Sequence, residues 1–90
     1  MLKIIPSTKF RRDLKRAVRR GCSLSLLETV IDLLASGHPL PAKYRDPALI
    51  GTYPDCRECH ITPDWLLVYR LDNHHLTLIL MRTGTHSDLF

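Results

Sequence analysis

Two short runs in the second half of the chain set a histidine beside a carboxylate. One is Glu58-Cys59-His60-Ile61-Thr62-Pro63-Asp64-Trp65; the other is Arg82-Thr83-Gly84-Thr85-His86-Ser87-Asp88-Leu89-Phe90. Histidine, with an ordinary pKa of about 6.5, suits proton transfer near neutrality. Between the runs lie Leu66-Leu67-Val68-Tyr69, a turn-like Asp72-Asn73 and Leu76-Thr77-Leu78-Ile79-Leu80-Met81. These read as two short strands joined by a tight reversal. A hairpin brings residues near Asp64 and residues near Arg82 to the same end of a sheet. His60, Asp64, Arg82 and His86 then converge on one rim as an acid–base site, with no metal or cofactor motif beside them.

Other reactive residue types resolve into plainer readings. Cys56-Arg57-Glu58-Cys59-His60 has the C-x-x-C-H form of a c-type haem attachment site. That reading fails because the run lies inside a strand pattern, where extended backbone sends Cys56 and Cys59 to opposite faces. The same geometry argues against zinc, since no second ligand pair of suitable spacing follows. Three cysteines, an odd number, argue against a disulfide scaffold and for a reducing cytoplasm. His74 and His75 fall in the predicted turn and His38 precedes a proline, so all three read as loop residues. Trp65 is either the core anchor of its strand or, on an open face, a ring that stacks on a nucleobase. Phe90, the last residue, is either tucked under the sheet or placed to stack on a ligand.

The elements that must carry these residues follow from periodicity. Residues 2–5 are apolar and end at Pro6, which suits a short edge strand. Ser7 or Thr8 offers an N-cap to a helix with Phe10, Leu14, Ala17 and Val18 at helical spacing. Lys9, Arg11, Arg12, Lys15, Arg16 and Arg19 cover its other faces, and Gly21 is a natural stop. A second helix opens at Ser23 or Ser25, and Ser25 with Glu28 has the form of a capping box. Its apolar stripe of Leu26, Leu27, Val30, Ile31, Leu33 and Leu34 ends at Gly37, and the two helices read as an antiparallel hairpin.

His38-Pro39-Leu40-Pro41 runs extended, and residues 44–51 read as irregular surface chain around Pro47. Residues 56–62 pair with 65–71 across Pro63-Asp64, and these with 76–82. Glu58, His60 and Thr62 share one face of their strand, opposite Arg57, Cys59 and Ile61. The order strand, helix, helix, strand, strand, strand defines an α+β fold: a small, mostly antiparallel sheet packed on a helical hairpin. The other side of the sheet is expected to stay open for a ligand.

Ninety residues, 44% hydrophobic and 24% charged, make one globular domain spanning 1–90, with no room for a second core. No segment has the form of a secretory signal or approaches a membrane span. The net charge is +4, and seven of thirteen Lys/Arg lie between residues 9 and 20. Such a basic face suits an anionic partner such as RNA, DNA or an acidic protein, or is simply a solvated helix surface.

The run His60-Ile61-Thr62-Pro63-Asp64-Trp65-Leu66-Leu67-Val68-Tyr69, joined at this spacing to residues 82–90, resembles the YafQ-type branch of the RelE/ParE toxin superfamily. The likeness extends to Pro39-Leu40-Pro41-Ala42-Lys43-Tyr44 and Gly51; it is close in the C-terminal half and one of layout in the N-terminal half. It implies the toxin of a bacterial type II toxin–antitoxin pair, a ribosome-dependent, metal-independent endoribonuclease that cuts mRNA in the A site. It implies catalytic roles for His60, Asp64, Arg82 and His86. Trp65, Phe90 and Arg57 would bind substrate, and the basic first helix would contact ribosomal RNA. It further implies no cofactor, a cytoplasmic location, and a cognate antitoxin that wraps the toxin, the complex binding operator DNA.

The family commonly has a histidine after the aspartate of the Tyr44-Arg45-Asp46 segment, where this chain has Pro47. Two other outcomes are compatible with the fold: a gyrase-directed toxin without nuclease activity, which generally lacks such an acid–base cluster, and an inactive antitoxin-binding co-repressor, which Pro47 would favour.

Overall fold

A computed structural model describes residues 1–44 and 55–90. The irregular chain expected around Pro47 and Gly51 lies outside the described residues, apart from its first residue, Tyr44. The elements run β1 (Lys3–Pro6), α1 (Thr8–Arg19), α2 (Leu24–Ala35), a 3₁₀ turn (Ala42–Tyr44), β2 (Arg57–Thr62), β3 (Trp65–Asp72), β4 (Thr77–Gly84) and α3 (His86–Leu89). The sheet order is β1-β4-β3-β2. Both hairpin pairings are antiparallel, whereas β1 joins β4 in parallel, so the sheet is mixed. The α+β reading holds, with one added helical turn at the end of the chain.

Ser7 couples the first strand to the first helix. Its Oγ accepts the Phe10 N–H at 3.0 Å as N-cap and donates to the Met81 carbonyl at 2.8 Å. Phe10, Asp13 and Ala17 form the buried stripe of α1, while Val18, expected there, is 51% exposed. Gly21, at φ +82°, takes the left-handed position that ends α1. In α2 the expected capping box of Ser25 and Glu28 does not form, because the helix begins earlier. Ser23 is the N-cap without a side-chain cap bond, and its hydroxyl lies 2.9 Å from that of Ser25.

The main core lies between the sheet and the two long helices. Phe10, Ala17, Leu27, Val30 and Leu34 meet Cys59, Ile61, Trp65, Leu67, Tyr69, Leu78 and Leu80. Complete burial of such side chains contributes about 1.5–3 kcal/mol each, so this face supplies most of the cohesion. The opposite face is not left open as expected. Leu89 of α3 packs there on Leu66 and Val68, with Cys56 and Met81 at the margin.

Two register shifts interrupt the antiparallel ladders. Tyr69 pairs with Leu80 but Val68 pairs with Arg82, making Met81 an extra residue in β4. His60 pairs with Leu66 while Thr62 pairs with Trp65, a second irregularity in β2. Without the first bulge, Arg82 would lie opposite Leu67 in the core row. With it, Arg82 stands opposite Val68 and Thr83 takes the core position.

Candidate active site

Each site residue takes its place from these local features. His60 stands on β2 opposite Leu66, half-buried on the face that α3 partly covers. Glu58 precedes it on that face opposite Val68, while Cys59 and Ile61 point into the main core. The expected alternation holds for Glu58 to Ile61 and fails at Thr62, which the register shift after His60 pairs with core-facing Trp65 and so turns to the other face.

Arg82 is re-aimed by the bulge and then tied down. β1 stops pairing at Pro6 and Leu80, so β4 runs on beyond its parallel neighbour. Asp13 of α1 occupies that flank. Its carboxylate accepts the Thr83 N–H at 3.1 Å, Arg82 Nε at 2.6 Å and Arg82 Nη2 at 3.0 Å. The buried amide thereby gains the acceptor that a missing strand would have supplied, and the guanidinium fork is held in a defined plane. Thr83 turns its side chain inward, accepting the Trp65 indole N–H at 2.8 Å and donating to the Leu66 carbonyl at 2.7 Å.

His86 and Phe90 ride on α3. Thr85 caps the turn: its Oγ1 accepts the Asp88 N–H at 3.1 Å, and Asp88 Oδ2 accepts the Thr85 N–H at 2.9 Å, a reciprocal capping box. The His86 and Phe90 rings lie 4.9 Å apart between centroids, tilted by 37°. Phe90 is 45% exposed, so of the two expectations for it the structure takes surface placement, against His86.

Asp88 also joins α3 to α1. Arg20 Nη1 and Nη2 reach its oxygens at 2.6 and 3.2 Å, and Arg16 Nη1 does so at 3.2 Å. The Arg20 guanidinium, followed by the Thr85 amide, holds the Asp88 carboxyl well below the usual carboxylate range, and Asp88 in turn raises Arg20.

Asp64 occupies the exposed turn between β2 and β3. It lines a cleft of about 270 Å³ with Arg16, Arg20, Trp65, Thr83 and Asp88. Next to it lies a groove of about 230 Å³, lined by Lys9, Arg12, Asp13, Arg16 and Arg82. Of the basic residues expected on α1, Lys9, Arg12 and Arg16 thus share one stripe with Arg82. Arg11, Lys15 and Arg19 are exposed and line neither cavity.

Two expected substrate contacts are corrected. Trp65 is 5% exposed and belongs to the main core, its N–H given to Thr83, so no open ring face is available for stacking. The bulge explains this, since it places Thr83 where the indole finds a partner. Arg57 opens β2 at the far end from Asp64, beside Tyr69, Asn73 and Met1 in a different shallow cleft. Three residues of extended chain, about 10 Å, separate it from His60.

The thiols behave as structural groups: burial pushes Cys59 up to about 12 and raises Cys56 as well, so neither is a ready thiolate. His74 and His75 sit in the β3–β4 turn as expected, with Asp72 accepting both of their backbone amides at 3.1 Å.

The sequence reading missed Asp13, Arg20 and Asp88 as partners of the site. For Asp13 a signal existed: it is the single acidic residue in the basic stretch 9–20 and falls between Phe10 and Ala17 on the apolar stripe. A charge at a core position implies a partner. Asp88 lay inside the recognised motif, but nothing local pairs it with Arg20.

These features have close counterparts among known proteins. A family model described as the bacterial toxin of a type II toxin–antitoxin system, YafQ, matches residues 2–90, and the chain belongs to that family. The mRNA interferase toxin YafQ of Escherichia coli K12 is 38% identical over 85 residues, 93% of this chain and 90% of that protein. A metal-bound toxin from Helicobacter pylori superposes with a TM-score of 0.92 at 49% identity, covering 100% of both chains. YafQ in the E. coli DinJ–YafQ complex gives 0.87 at 36% identity, covering 100% of this chain and 99% of that one. Among the described residues of the present chain, no group of three or more His, Cys, Asp or Glu could hold a metal ion. No helix among them is long and apolar enough to cross a membrane.

Proposed function

We propose that this protein is the toxin of a type II toxin–antitoxin pair and acts as a ribosome-dependent endoribonuclease on mRNA in the A site. The observation that carries the reading is the bulge at Met81 in β4. It brings Arg82, locked by buried Asp13, to the end of the sheet that also holds His60, the Asp64 turn and the capped turn bearing His86 and Phe90.

The chemistry is transfer of a phosphodiester to its own 2′-hydroxyl. His60, with Asp64 at the adjacent turn, takes the proton of the 2′-oxygen, which attacks phosphorus. His86 protonates the departing 5′-oxygen, leaving a 2′,3′-cyclic phosphate and a 5′-hydroxyl. Proton transfer by a placed group contributes about 10²–10⁴-fold. Arg82 stabilises the charge that grows on the phosphate oxygens; because Asp13 sets its plane beforehand, little reorganisation accompanies reaction. The stripe of Lys9, Arg12 and Arg16 continues this positive potential along the RNA backbone. Phe90, stacked on His86, offers its exposed ring to a base.

By analogy with the DinJ–YafQ complex, a cognate antitoxin neutralises the protein, and the setting of ribosome and mRNA is the cytoplasm. The test is induced expression of wild type and His86→Ala in a bacterial host, with mRNA 5′ ends mapped with and without translation. Codon-phased cuts confined to translated wild-type samples are expected. Growth arrest without cuts would sink the nuclease reading in favour of a gyrase-type toxin.

A further inference from the structure

We infer that Asp88 is a positioning residue, through which Arg16 of α1 and Arg20 at its C-cap hold His86 in register with Arg82. This rests on the nuclease reading of the site.

Five side chains form an alternating ladder along α1: Arg82, Asp13, Arg16, Asp88, Arg20. Arg82 Nε meets Asp13 Oδ2 at 2.6 Å, and Arg16 Nη2 meets Asp13 Oδ1 at 3.5 Å. Arg16 Nη1 then reaches Asp88 Oδ1 at 3.2 Å, and Arg20 Nη1 reaches Asp88 Oδ2 at 2.6 Å. One guanidinium, that of Arg16, therefore bridges the carboxylate that sets Arg82 and the carboxylate that sets α3. The spacing 13, 16, 20 puts Asp13 and Arg16 of α1 and its C-cap residue Arg20 on one stripe.

α3 needs such a hold. It spans only His86–Leu89, far below the length at which a helix persists by itself. Its apolar attachment is Leu89, 5% exposed, on Leu66 and Val68. A single contact of that kind anchors the turn without fixing its rotation. Asp88 supplies further restraints, since its carboxylate takes the Thr85 amide and both arginines together. The chain makes room for this: a Cβ on Gly84 would lie 2.9 Å from Asp88 Oδ2 and 3.0 Å from Asp88 Cβ. His86 and Phe90, two residues either side of Asp88, move with it.

Exposed ion pairs add little to global stability, so the consequence is local. Misplacement of a catalytic group by about 1 Å can cost about 10²-fold in rate. An arginine that merely attracted RNA would act on KM instead.

The experiment compares wild type, Arg20→Gln, Arg20→Lys, Asp88→Asn and the Arg20→Gln/Asp88→Asn double variant. Cleavage is measured on ribosomes translating a defined mRNA, and the His86 ring proton shifts are recorded by NMR on the free protein. Expected are kcat losses of about 10–100-fold in Arg20→Gln and Asp88→Asn with KM within about 3-fold. The double variant should be no worse than the poorer single one, and Arg20→Lys should recover most of the activity. In both charge-loss single variants the His86 shifts, displaced in wild type by the Phe90 ring, should move toward free-histidine values.

Additive losses, or a rise in KM with kcat intact, would overturn the inference, as would His86 shifts unchanged in both single variants. A wild-type protein that cuts nothing, with the shifts still responding to Arg20→Gln and Asp88→Asn, would remove the nuclease reading and leave the tether standing.

Discussion

The two faces of the sheet are built on opposite terms. One is closed by α1 and α2 with aliphatic and aromatic side chains, many of them wholly buried, such as Val30, Leu67 and Leu78. The other carries Glu58 and His60 and is covered in part by α3, held by Leu89 and a set of charges. Apolar packing is non-directional and tolerant of small shifts, and it supplies cohesion. Charged and capped contacts add little cohesion but set orientation. The residues proposed for the chemistry lie where orientation matters and where a partner can still approach. Low local stability on that side is the expected companion of such a site.

That contrast can be broken first at Asp13, where the two regimes meet. Asp13 is 3% exposed and holds Arg82 and the Thr83 amide together. Asp13→Ala removes one partner of a largely buried ion pair, a class of change that costs about 3–5 kcal/mol. The low end is expected because the Arg82 side chain keeps 19% exposure. Urea denaturation would measure it. A loss under about 1 kcal/mol would show that the pair is not structural.

A smaller effect separates the two roles offered for Trp65. As a core anchor, Trp65→Leu should lower stability by about 2–3 kcal/mol through lost volume and the lost bond to Thr83. Cleavage per folded molecule should then stay within about 3-fold of wild type. Were the ring a stacking platform, affinity for substrate would drop by about 1–3 kcal/mol and stability would barely change.

The smallest effect concerns the two stripes of α1. Neutralising Lys9 and Arg12 should lower the salt dependence of ribosome binding by about one to two charges' worth of slope. Neutralising Arg11 and Lys15, which face away from Arg82, should change it less. Equal changes for the two pairs would mean that α1 attracts RNA as a diffuse charge and not through the groove.

Much of the fold was legible because it rests on periodicity. The 3.6-residue spacing of Phe10, Leu14 and Ala17, the stops at Gly21 and Gly37, and the strand alternation around Cys59 and Ile61 are local patterns, and the elements formed where they indicated. The pairing of β2 with β3 across Pro63-Asp64 was equally local. His60, Asp64, Arg82 and His86 were legible as reactive types and as a family motif, and the hairpin placed them at one end of the sheet. Two local readings failed at their margins: Val18 lies at the edge of the α1 stripe and is exposed, and the Ser25–Glu28 capping box was lost because α2 starts two residues earlier. The other failures were readings that needed a partner distant in the chain. Trp65 needed Thr83, which only the bulge at Met81 turned inward. Asp88 needed Arg20, 68 residues away.

The sequence by itself determined the order of elements, most of the buried stripes and the reactive residue types that the candidate site holds. Each of these follows from residues within a few positions of one another, where backbone geometry leaves few choices. The tertiary structure alone decided which way Arg82 points, that α3 closes part of the free face, and that α1 holds both Arg82 and His86 through two aspartates. Those depend on strand register and on how far β4 outruns β1, which is settled only when every strand pairs at once. A one-residue slip there exchanges Thr83 for Arg82 in the core row.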